Sequence, residues 1–391
     1  MKPIVSVIIP NFNRRSDIEF TLNELKKDSY PALEIIVVDN GSTDGSVQLI
    51  EEKFPSVLMV GLPYNIATEA RNYGIMKASG EYILMLDSDS HPLPGSIKKM
   101  VEHFEDNPLL GAAAFRVVLP NDSNKDDSGG RFNVFIGCGC GFRRNILQKI
   151  GCYPQGFGFY VEEYDVSYRI MAAGYKVRYF EDLVVLHRQS QFGRDDKHII
   201  YYLIRNNIYL YFQYHPFLEA MKELSWVLFR YYRVSLGKQT IIAFTKGILA
   251  GLGKTMISSR RQKYLSNEAL DSILPERNCR KRLMEIMEKQ PIKTVALWGI
   301  GKDFEPIVRG IRKMGVSIIG AVPTGTQFYF QKYSNLIGVP VLKETELEKI
   351  SCQALIVSSC SPGETHNQLQ YLKTKNIPMD VIPLFRYGWS S

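Results

Sequence analysis

Residues 34–45 have the sequence EIIVVDNGSTDG, and this stretch decides the fold of the first part of the chain. It predicts a buried strand up to Asp39, and the turn residues that follow are typical of the start of a helix. Comparable apolar runs, each followed by a segment with helical spacing, lie at residues 5–9, 57–60 and 82–86. This alternation predicts an α/β fold with a mostly parallel sheet and helices on both of its faces.

Acidic residues stand where two of these strands end. Asp39 follows one apolar run, and Asp87 follows another. In parallel sheets ligands bind outside the carboxyl ends of the strands, so we expect both side chains in one crevice. If the strand stays extended beyond Asp87, Asp89 points the same way and the two carboxylates can share a divalent cation. Such a pair also occurs in surface turns, so it indicates a metal site only within this α/β pattern.

The net charge of +8 is concentrated in one region. Residues 197–290 contain sixteen Lys and Arg against seven Asp and Glu, so the rest of the chain is close to neutral. Within this region, residues 199–263 have a helical pattern rich in aromatic side chains, and no apolar run is long enough to span a membrane. Two interpretations stay open: a basic amphipathic segment on an anionic membrane surface, and a helical hairpin packed on the preceding α/β domain.

Two segments outside these regions have patterns of their own. Residues 120–131 are polar and rich in turn residues, which predicts an exposed and mobile surface loop. After Pro291, strands are predicted at 294–298, 316–321 and 354–358, which indicates a small Rossmann-like domain. We therefore divide the chain into a first domain, a basic helical connecting segment and a C-terminal accessory domain, at residues 1–215, 216–290 and 291–391.

The C-terminal domain carries only part of a dinucleotide-binding motif. Gly299 and Gly301 follow its first strand, but the third glycine position holds Phe304. No acidic residue that could bind a ribose ends the next strand. These departures argue against NAD, so we expect a domain for assembly, docking or an unidentified small ligand.

The cysteines and the start of the chain bear on the cellular compartment in which the protein is expected. The six cysteines are scattered without any C-x-x-C pair, which is typical of reduced thiols in a cytoplasmic protein. Cys138 and Cys140 lie in a glycine-rich stretch and are expected to be small residues near an acceptor site. The apolar strand begins almost at Met1, so we expect no signal peptide.

Several motifs, taken in order, resemble those of the family 2 glycosyltransferases with the GT-A fold. The matching pieces include the first strand with its Pro-Asn-Phe-Asn end, residues 38–45 and residues 86–89. Further pieces follow in order within residues 4–210, at Asn65, 70–74, 158–165, Arg169, 174–175, His187 and 205–206. Within that family the sequence is similar to bacterial rhamnosyltransferase-like enzymes that act on surface polysaccharides.

The resemblance implies a nucleotide-sugar site in the first domain. Asp39 would accept a hydrogen bond from the nucleotide base, beside the backbone of Pro10 and Asn11. Arg71 would lie near the base or the diphosphate. Asp87 would contact the ribose or the metal. The remaining donor-site residues that we assign by this resemblance are Asn13, Asn65 and Ser88.

The same resemblance implies a divalent cation, Mn²⁺ or Mg²⁺. Asp89 would bind it together with Asp87. His187, which ends an apolar run, would be a further ligand of the metal or the diphosphate. A lone histidine is more often structural, and both roles stay open for it.

The catalytic base is implied by an acidic pair. Glu162 and Glu163 match the pair that supplies the base in this family, which usually has Asp in the second position. The longer Glu163 puts the identity of the base in doubt; we take Glu163 as the candidate and Glu162 as the alternative. Without the resemblance, the pair could equally belong to a solvated helix face with an Asp165–Arg169 ion pair.

Together these features predict a metal-dependent inverting glycosyltransferase. It would move a sugar from a UDP- or dTDP-sugar to a glycan or a polyprenyl-linked acceptor in surface polysaccharide synthesis. We expect it in the cytoplasm, with membrane-surface contact through residues 199–263, and leave a homo-oligomer open. Its basic region lacks a recognised nucleic-acid module, so we expect no nucleic acid partner.

Two alternative functions belong to other classes. One is a non-catalytic scaffold with a decayed transferase domain, against which the intact acidic residues argue. The other is a sugar-1-phosphate nucleotidyltransferase, which would need a glycine-rich loop and a basic residue directly after the first strand. Pro10 and Asn11 stand there instead.

Overall fold

The computed structural model describes residues 2–122, 125–189, 195–258, 264–324, 337–375 and 377–384. The chain forms two compact units. The first unit contains residues 1–127 and 133–265, and the second contains residues 128–132 and 266–391. The predicted connecting segment 216–290 is therefore divided, since its helices pack partly in one unit and partly in the other.

The first unit is built on a mixed sheet in the order β3-β2-β1-β4-β7-β6-β8-β5. The four strands that the apolar runs predicted are parallel to one another, whereas β7 pairs antiparallel with both β4 and β6. The strands are β1 (Val5–Asn11), β2 (Leu33–Asp39), β3 (Leu58–Gly61), β4 (Tyr82–Met85), β5 (Ser90–Pro92), β6 (Leu110–Val118), β7 (Cys140–Arg143) and β8 (Lys176–His187). The sheet confirms the predicted fold class.

Helices cover this sheet and extend beyond it. They are α1 (Arg15–Leu25), α2 (Ser46–Lys53), α3 (Ala70–Lys77), α4 (Ser96–Asp106), α5 (Arg144–Ile150), α6 (Glu162–Ala172), α7 (Asp196–Tyr214), α8 (Phe217–Gly237) and α9 (Ile241–Ser258). Helix α1 begins at Arg15, and its N-cap residue supplies no side-chain cap. Asp44 accepts instead from the backbone N–H groups of Arg15 and Ser46, so one carboxylate binds an N–H at the start of each of two helices.

The sheet brings the carboxyl ends of its parallel strands to one edge. β1 and β2 are in register, so Asn11 lies beside Asp39. β4 ends at Met85, and the chain then turns sharply, with the Ser90 N–H donating to the Asp87 carbonyl at 3.1 Å. The expectation of an extended strand through Asp89 is therefore wrong, and i, i+2 alternation does not orient the two carboxylates.

Helices α7, α8 and α9 form a helical layer within the first unit. Their shared core contains Ile200, Ile204, Ile208, Tyr211, Ala220, Leu224, Val227 and Phe244. Gly247 and Gly251 let α9 approach α7 closely, because a Cβ at either position would lie 2.9 Å from an isoleucine Cβ of α7. These three helices make up most of the segment 199–263, for which two interpretations were open. Residues 259–263 of that segment lie outside the described residues.

The second unit contains a parallel sheet in the order β10-β9-β11-β12. Its strands are β9 (Thr294–Trp298), β10 (Ser317–Val322), β11 (Ala354–Val357) and β12 (Asp380–Pro383). Its helices are α10 (Asn267–Ile273), α11 (Pro275–Met287), α12 (Phe304–Lys313) and α13 (Pro362–Lys373). The strands predicted after Pro291 are therefore present, but the unit begins earlier, at Ser266, and α10 and α11 belong to it.

The loop predicted at 120–131 is not wholly a surface loop. Ser128 and Arg131 are buried, with exposed fractions of 3% and 8%. Residues 128–132 are counted with the second unit, although the chain on either side belongs to the first. Residues 123 and 124 of this loop lie outside the described residues.

Candidate active site

The first group of side chains lies where β1 and β2 end. The Asn11 Nδ2 donates to the Asp39 Oδ1 at 3.2 Å, and the Ser42 N–H donates to the other carboxylate oxygen at 2.9 Å. Asn11 and Asp39 are 1% and 3% exposed. Among the described residues, the Asn11 Oδ1 has no hydrogen-bond partner. A buried polar group of this kind at the carboxyl edge of a parallel sheet is suited to a polar ligand.

Two loops frame this group through backbone contacts. The Asn40 side chain accepts from the Ile66 N–H at 2.9 Å and donates to the Ala67 carbonyl at 3.1 Å. Asn65 accepts from the Ala67 N–H, and Asn13 accepts from the Thr43 N–H, each at 2.8 Å. The predicted donor residues Asn13 and Asn65 therefore shape these loops, with their side-chain oxygens engaged by the backbone.

Arg71 on α3 joins the second group of side chains. It is 6% exposed, and its guanidinium lies 3.0 Å from the Asp87 Oδ1 and 3.5 Å from the Glu162 Oε1. Its guanidinium carbon is 5.3 Å from the centre of the Tyr153 ring. Burial opposes the charge of Arg71, but the neighbouring Asp87 raises its pKa, so the guanidinium stays cationic.

Gly137 leaves room beside this arginine. A Cβ at Gly137 would lie 3.0 Å from an Arg71 Nη and 3.5 Å from the Glu163 Oε1. Two polar atoms here, the Arg71 Nε and the Glu162 Oε2, are buried and lack hydrogen-bond partners among the described residues. Burying such atoms is costly unless something binds them, so the cluster is suited to a polar substrate.

The acidic pair begins α6. Glu162 is 3% exposed and Glu163 is half-buried, so the alternative of a solvated helix face does not hold for them. Burial, together with the neighbouring Glu163, raises the pKa of Glu162 well above its ordinary value, although Arg71 opposes this. Burial also raises the pKa of Glu163, again against Arg71. The expected ion pair between Asp165 and Arg169 is also present, with 2.6 Å between nitrogen and oxygen.

The chain enters α6 through a strained loop. Tyr160 and Val161 have φ values of 66° and 73°, a region that non-glycine residues seldom adopt, least of all β-branched ones. Asn206 on α7, which is 0% exposed, donates to the carbonyls of three residues of this loop. These donor–acceptor distances are 3.1, 3.0 and 2.8 Å, to Phe157, Phe159 and Tyr160. This buried amide therefore helps to hold the turn that leads into Glu162 and Glu163.

The third group lies around His187 at the end of β8. Its Nε2 is 3.3 Å from the Asp89 Oδ1, and its Nδ1 is 3.8 Å from the Cys138 Sγ. Burial lowers the pKa of His187, but the contacts with Asp89 and Cys138 outweigh it and raise the pKa to about 11. Arg14 lies 3.3 Å from the other Asp89 oxygen.

Ligand atoms of Asp87, Cys138 and His187 lie within 4.8 Å of one another. Because Asp89 touches the same histidine, the structure brings together the three residues predicted to bind metal. Carboxylate, imidazole and thiolate donors in one cluster fit a divalent transition-metal ion. The predicted donor residue Ser88 is buried, and its carbonyl accepts from the Thr21 hydroxyl at 2.8 Å.

Sequence reasoning missed three contributors to this site. Arg14, which pairs with Asp89, follows the Pro-Asn-Phe-Asn end of β1 and has no pattern of its own. Cys138 was expected near an acceptor, not beside His187. Tyr153 lies in a stretch without a regular pattern. The glycine-rich stretch around Gly137 was the available signal for close packing.

Comparisons with known proteins identify relatives of the first part of the chain. Residues 6–151 match the family model described as Glycosyl transferase family 2. The chain is 38% identical over 105 residues to the putative teichuronic acid biosynthesis glycosyltransferase TuaG of Bacillus subtilis, covering 26% of this chain and 42% of that protein. It is 28% identical over 214 residues to the glycosyltransferase AglE of Haloferax volcanii, covering 49% of this chain and 69% of that protein. The chain thus spans less than half the length of TuaG.

Among solved structures, S. aureus TarS residues 1–349 in complex with UDP-GlcNAc superimposes with a TM-score of 0.50 at 15% identity, over 80% of this chain and 92% of that chain. At that identity the likeness concerns the fold alone. The sheet, with its parallel strands in the order described above, has the GT-A fold. Residues 6–151 match the model of glycosyl transferase family 2, so this part of the chain is a glycosyltransferase domain by its similarity to that family.

Proposed function

We propose that the protein is a metal-dependent inverting glycosyltransferase that uses a UDP- or dTDP-sugar. The observation that carries this proposal is the cluster in which Arg71 contacts both Asp87 and Glu162. The guanidinium of Arg71 thus contacts both the Asp87 carboxylate, which we propose to bind metal or ribose, and Glu162 of the proposed catalytic pair. A leaving diphosphate and an attacking hydroxyl need these two kinds of group close together.

The nucleotide would bind at the carboxyl edge of β1 and β2. Asp39 would accept a hydrogen bond from the ring N–H of a uracil or thymine, next to the Pro10 and Asn11 backbone. Asn11 supports this role, because it holds the Asp39 carboxylate and has its own oxygen without a described partner. Arg71 would contact the diphosphate.

A divalent cation would be held by Asp87, Asp89 and His187. When bound, it would neutralise the charge that develops on the nucleoside diphosphate. The imidazole among the donors favours Mn²⁺ over Mg²⁺, which prefers oxygen ligands alone. Binding would require His187 to give up its proton, since only the neutral ring is a ligand.

Glu163 would act as the general base. Its half-buried carboxylate faces the space beside Gly137, whereas Glu162 is held by Arg71. The base takes the proton of the acceptor hydroxyl, whose oxygen bonds to the anomeric carbon. The bond from that carbon to the phosphate oxygen breaks, and its electron pair leaves with the nucleoside diphosphate. Attack from the face opposite the leaving group inverts the anomeric configuration.

The acceptor would be a glycan or a polyprenyl-linked glycan in surface polysaccharide synthesis. TuaG, which belongs by its name to teichuronic acid biosynthesis, supports this substrate class for a related domain. Helices α8 and α9 carry exposed apolar side chains in the basic region, including Leu218, Ile242 and Leu249. No helix within the described residues is long and apolar enough to cross a membrane. We therefore place the enzyme against the inner membrane surface through residues 199–263.

Calorimetric titration with UDP, dTDP and GDP, each with Mn²⁺, with Mg²⁺ and without metal, tests this proposal. We expect one nucleotide to bind with Mn²⁺ and to bind roughly tenfold or more weakly without it. Asp89→Ala should remove the metal dependence, because it deletes a ligand and a partner of His187. The exposed Asp106→Ala on α4 is the matched control and should bind as the wild type does. If the folded wild type binds none of the three, the transferase proposal fails and a scaffold role takes its place.

A further inference from the structure

Residues 128–132, hereafter the inserted segment, are built into the second unit. Ser128, Arg131 and Phe132 are buried, with exposed fractions of 3%, 8% and 7%. Phe132 lies in the apolar core of that unit, together with residues such as Ile300 and Phe304. A segment from a polar loop has thus become part of a core formed by residues at least 130 positions later in the chain.

The inserted segment lies at the edge of the sheet where ligands usually bind. In the order β10-β9-β11-β12, the strand that follows β9 in the chain, β10, lies on one side of β9, and the next strand, β11, lies on the other. The strand order therefore reverses between β9 and β11, which is the topological switch point of this sheet. The residues that follow these two strands, 299–303 and 358–361, supply three of the polar contacts to the segment. A parallel α/β domain generally binds a cofactor or nucleotide at this place.

The start of α13 binds the first residue of the segment. The Ser128 carbonyl accepts from the Gly363 N–H at 3.1 Å and from the Ser361 hydroxyl at 2.7 Å. The first N–H groups of a helix lack partners within the helix, and in many α/β domains a phosphate satisfies them. Here a peptide carbonyl occupies that position.

The loop after β9 binds the rest of the segment. The Lys302 ammonium donates to the Gly130 carbonyl at 3.1 Å, and Arg131 forms a buried ion pair with Asp303 at 3.1 Å. Arg131 also donates to the Ile273 carbonyl at 3.2 Å. Polar contacts to two backbone carbonyls, one ion pair and one apolar anchor are typical of peptide recognition.

We propose that the carboxyl edge of the second unit's sheet is a peptide-binding site whose ligand is the chain's own inserted segment. The unit then functions to hold this loop, not to bind a dinucleotide. This accounts for Phe304 at the third glycine position, because that residue packs in the same core as Phe132. The inference goes beyond the proposed transfer activity and does not depend on it.

Limited trypsin digestion of the full-length protein tests the proposal, with mass spectrometry following cleavage between Arg131 and Phe132. In the wild type we expect this bond to be cut much more slowly than in the chemically unfolded chain. The double variant Lys302→Ala/Ser361→Ala loses the side-chain donors to Gly130 and Ser128, so cleavage should accelerate roughly tenfold or more. Ser361→Ala alone should give a smaller acceleration, and it keeps the test valid if the double variant does not fold.

The matched control is Lys375→Ala, which removes an ion pair with Glu344 elsewhere in the second unit and should leave cleavage unchanged. Adding millimolar NAD⁺, ATP or UDP distinguishes a peptide site from a nucleotide site. We expect no change in the rate of cleavage after Arg131. The proposal is overturned if the wild type is cut as fast as the unfolded chain, if the Ser361 variants are cut at the wild-type rate, or if a nucleotide accelerates cleavage.

Discussion

Glu162 and Glu163 are neighbours in sequence but differ in their surroundings. Glu162 is almost fully buried and lies against Arg71, while Glu163 is half-buried and faces the space beside Gly137. Burial raises the pKa of both carboxyls. A raised pKa makes a carboxylate a stronger base at the pH where the enzyme works, provided that it is still deprotonated there.

Glu163→Gln should lower kcat by about 10²–10⁴-fold with the fold intact, because it removes the proposed base. Glu162→Gln should cost less, since Arg71 keeps its ion pair with Asp87. Because the base acts deprotonated, wild-type activity should fall as the pH drops through the raised pKa of Glu163, at a pH above the ordinary range for a glutamate. Initial rates across pH measure both effects.

The exposed Glu102→Gln on α4 is the control and should retain the wild-type pH profile. If Glu163→Gln retains wild-type activity while Glu162→Gln loses it, the roles assigned to the two residues must be exchanged.

At the scale of elements, α7 holds the loop before α6 through side-chain donors, with Arg205 donating to the Gly156 and Phe157 carbonyls. Asn206 donates to three carbonyls of the loop that precedes α6. That loop contains two residues with positive φ, and such strain persists only where the surroundings impose it. The position of the acidic pair therefore depends on a helix that carries neither glutamate.

Asn206→Ala should destabilise the protein by about 1–3 kcal/mol, because it removes a buried donor to the Phe159 and Tyr160 carbonyls. It should also lower kcat by tenfold or more through misplacement of the base, with nucleotide binding preserved. Denaturant unfolding and initial rates measure the two effects. Asn207→Ala is the control from the same helix, since its amide donates only back along α7, to the Leu203 carbonyl at 2.7 Å, among the hydrogen bonds described. Equal effects of the two variants would contradict the positioning role.

Elements with a strong local pattern were predictable from the sequence. The strands that end at Asp39 and near Asp87 are apolar runs bounded by turn residues, and they positioned the candidate donor site. The antiparallel β7 and the turn after Asp87 were not predictable, because pairing partners and tight turns depend on residues far away in sequence. The approach of Cys138 to His187, which are 49 positions apart, has the same cause.

At the scale of the molecule, basic residues and exposed apolar side chains occur together in the helical layer of the first unit. Leu218, Ile242 and Leu249 are 81%, 70% and 67% exposed. They lie within a region that has a large excess of Lys and Arg. Apolar side chains among basic ones are suited to the surface of an anionic bilayer.

The protein should therefore bind vesicles that contain anionic lipid, and binding should weaken as salt rises, because screening reduces the electrostatic attraction. Replacing Leu218, Ile242 and Leu249 together by Ser should lower the affinity by roughly tenfold or more, which co-sedimentation measures. The control is Met76→Ser on α3, which is 65% exposed outside the helical layer. Failure of the wild type to bind at low salt would remove the membrane proposal.

The ion pair between Arg131 and Asp303 can form only late in the synthesis of the chain. The two residues are 172 positions apart, so the inserted segment leaves the ribosome long before its partners exist. At about 5–20 residues per second, the delay is roughly 9–35 seconds. Throughout that interval, the growing chain lacks the residues of the second unit that later bury Phe132. A nascent chain stalled before residue 266 should consequently expose this phenylalanine to chaperones and proteases, even where the rest of the first unit has already folded.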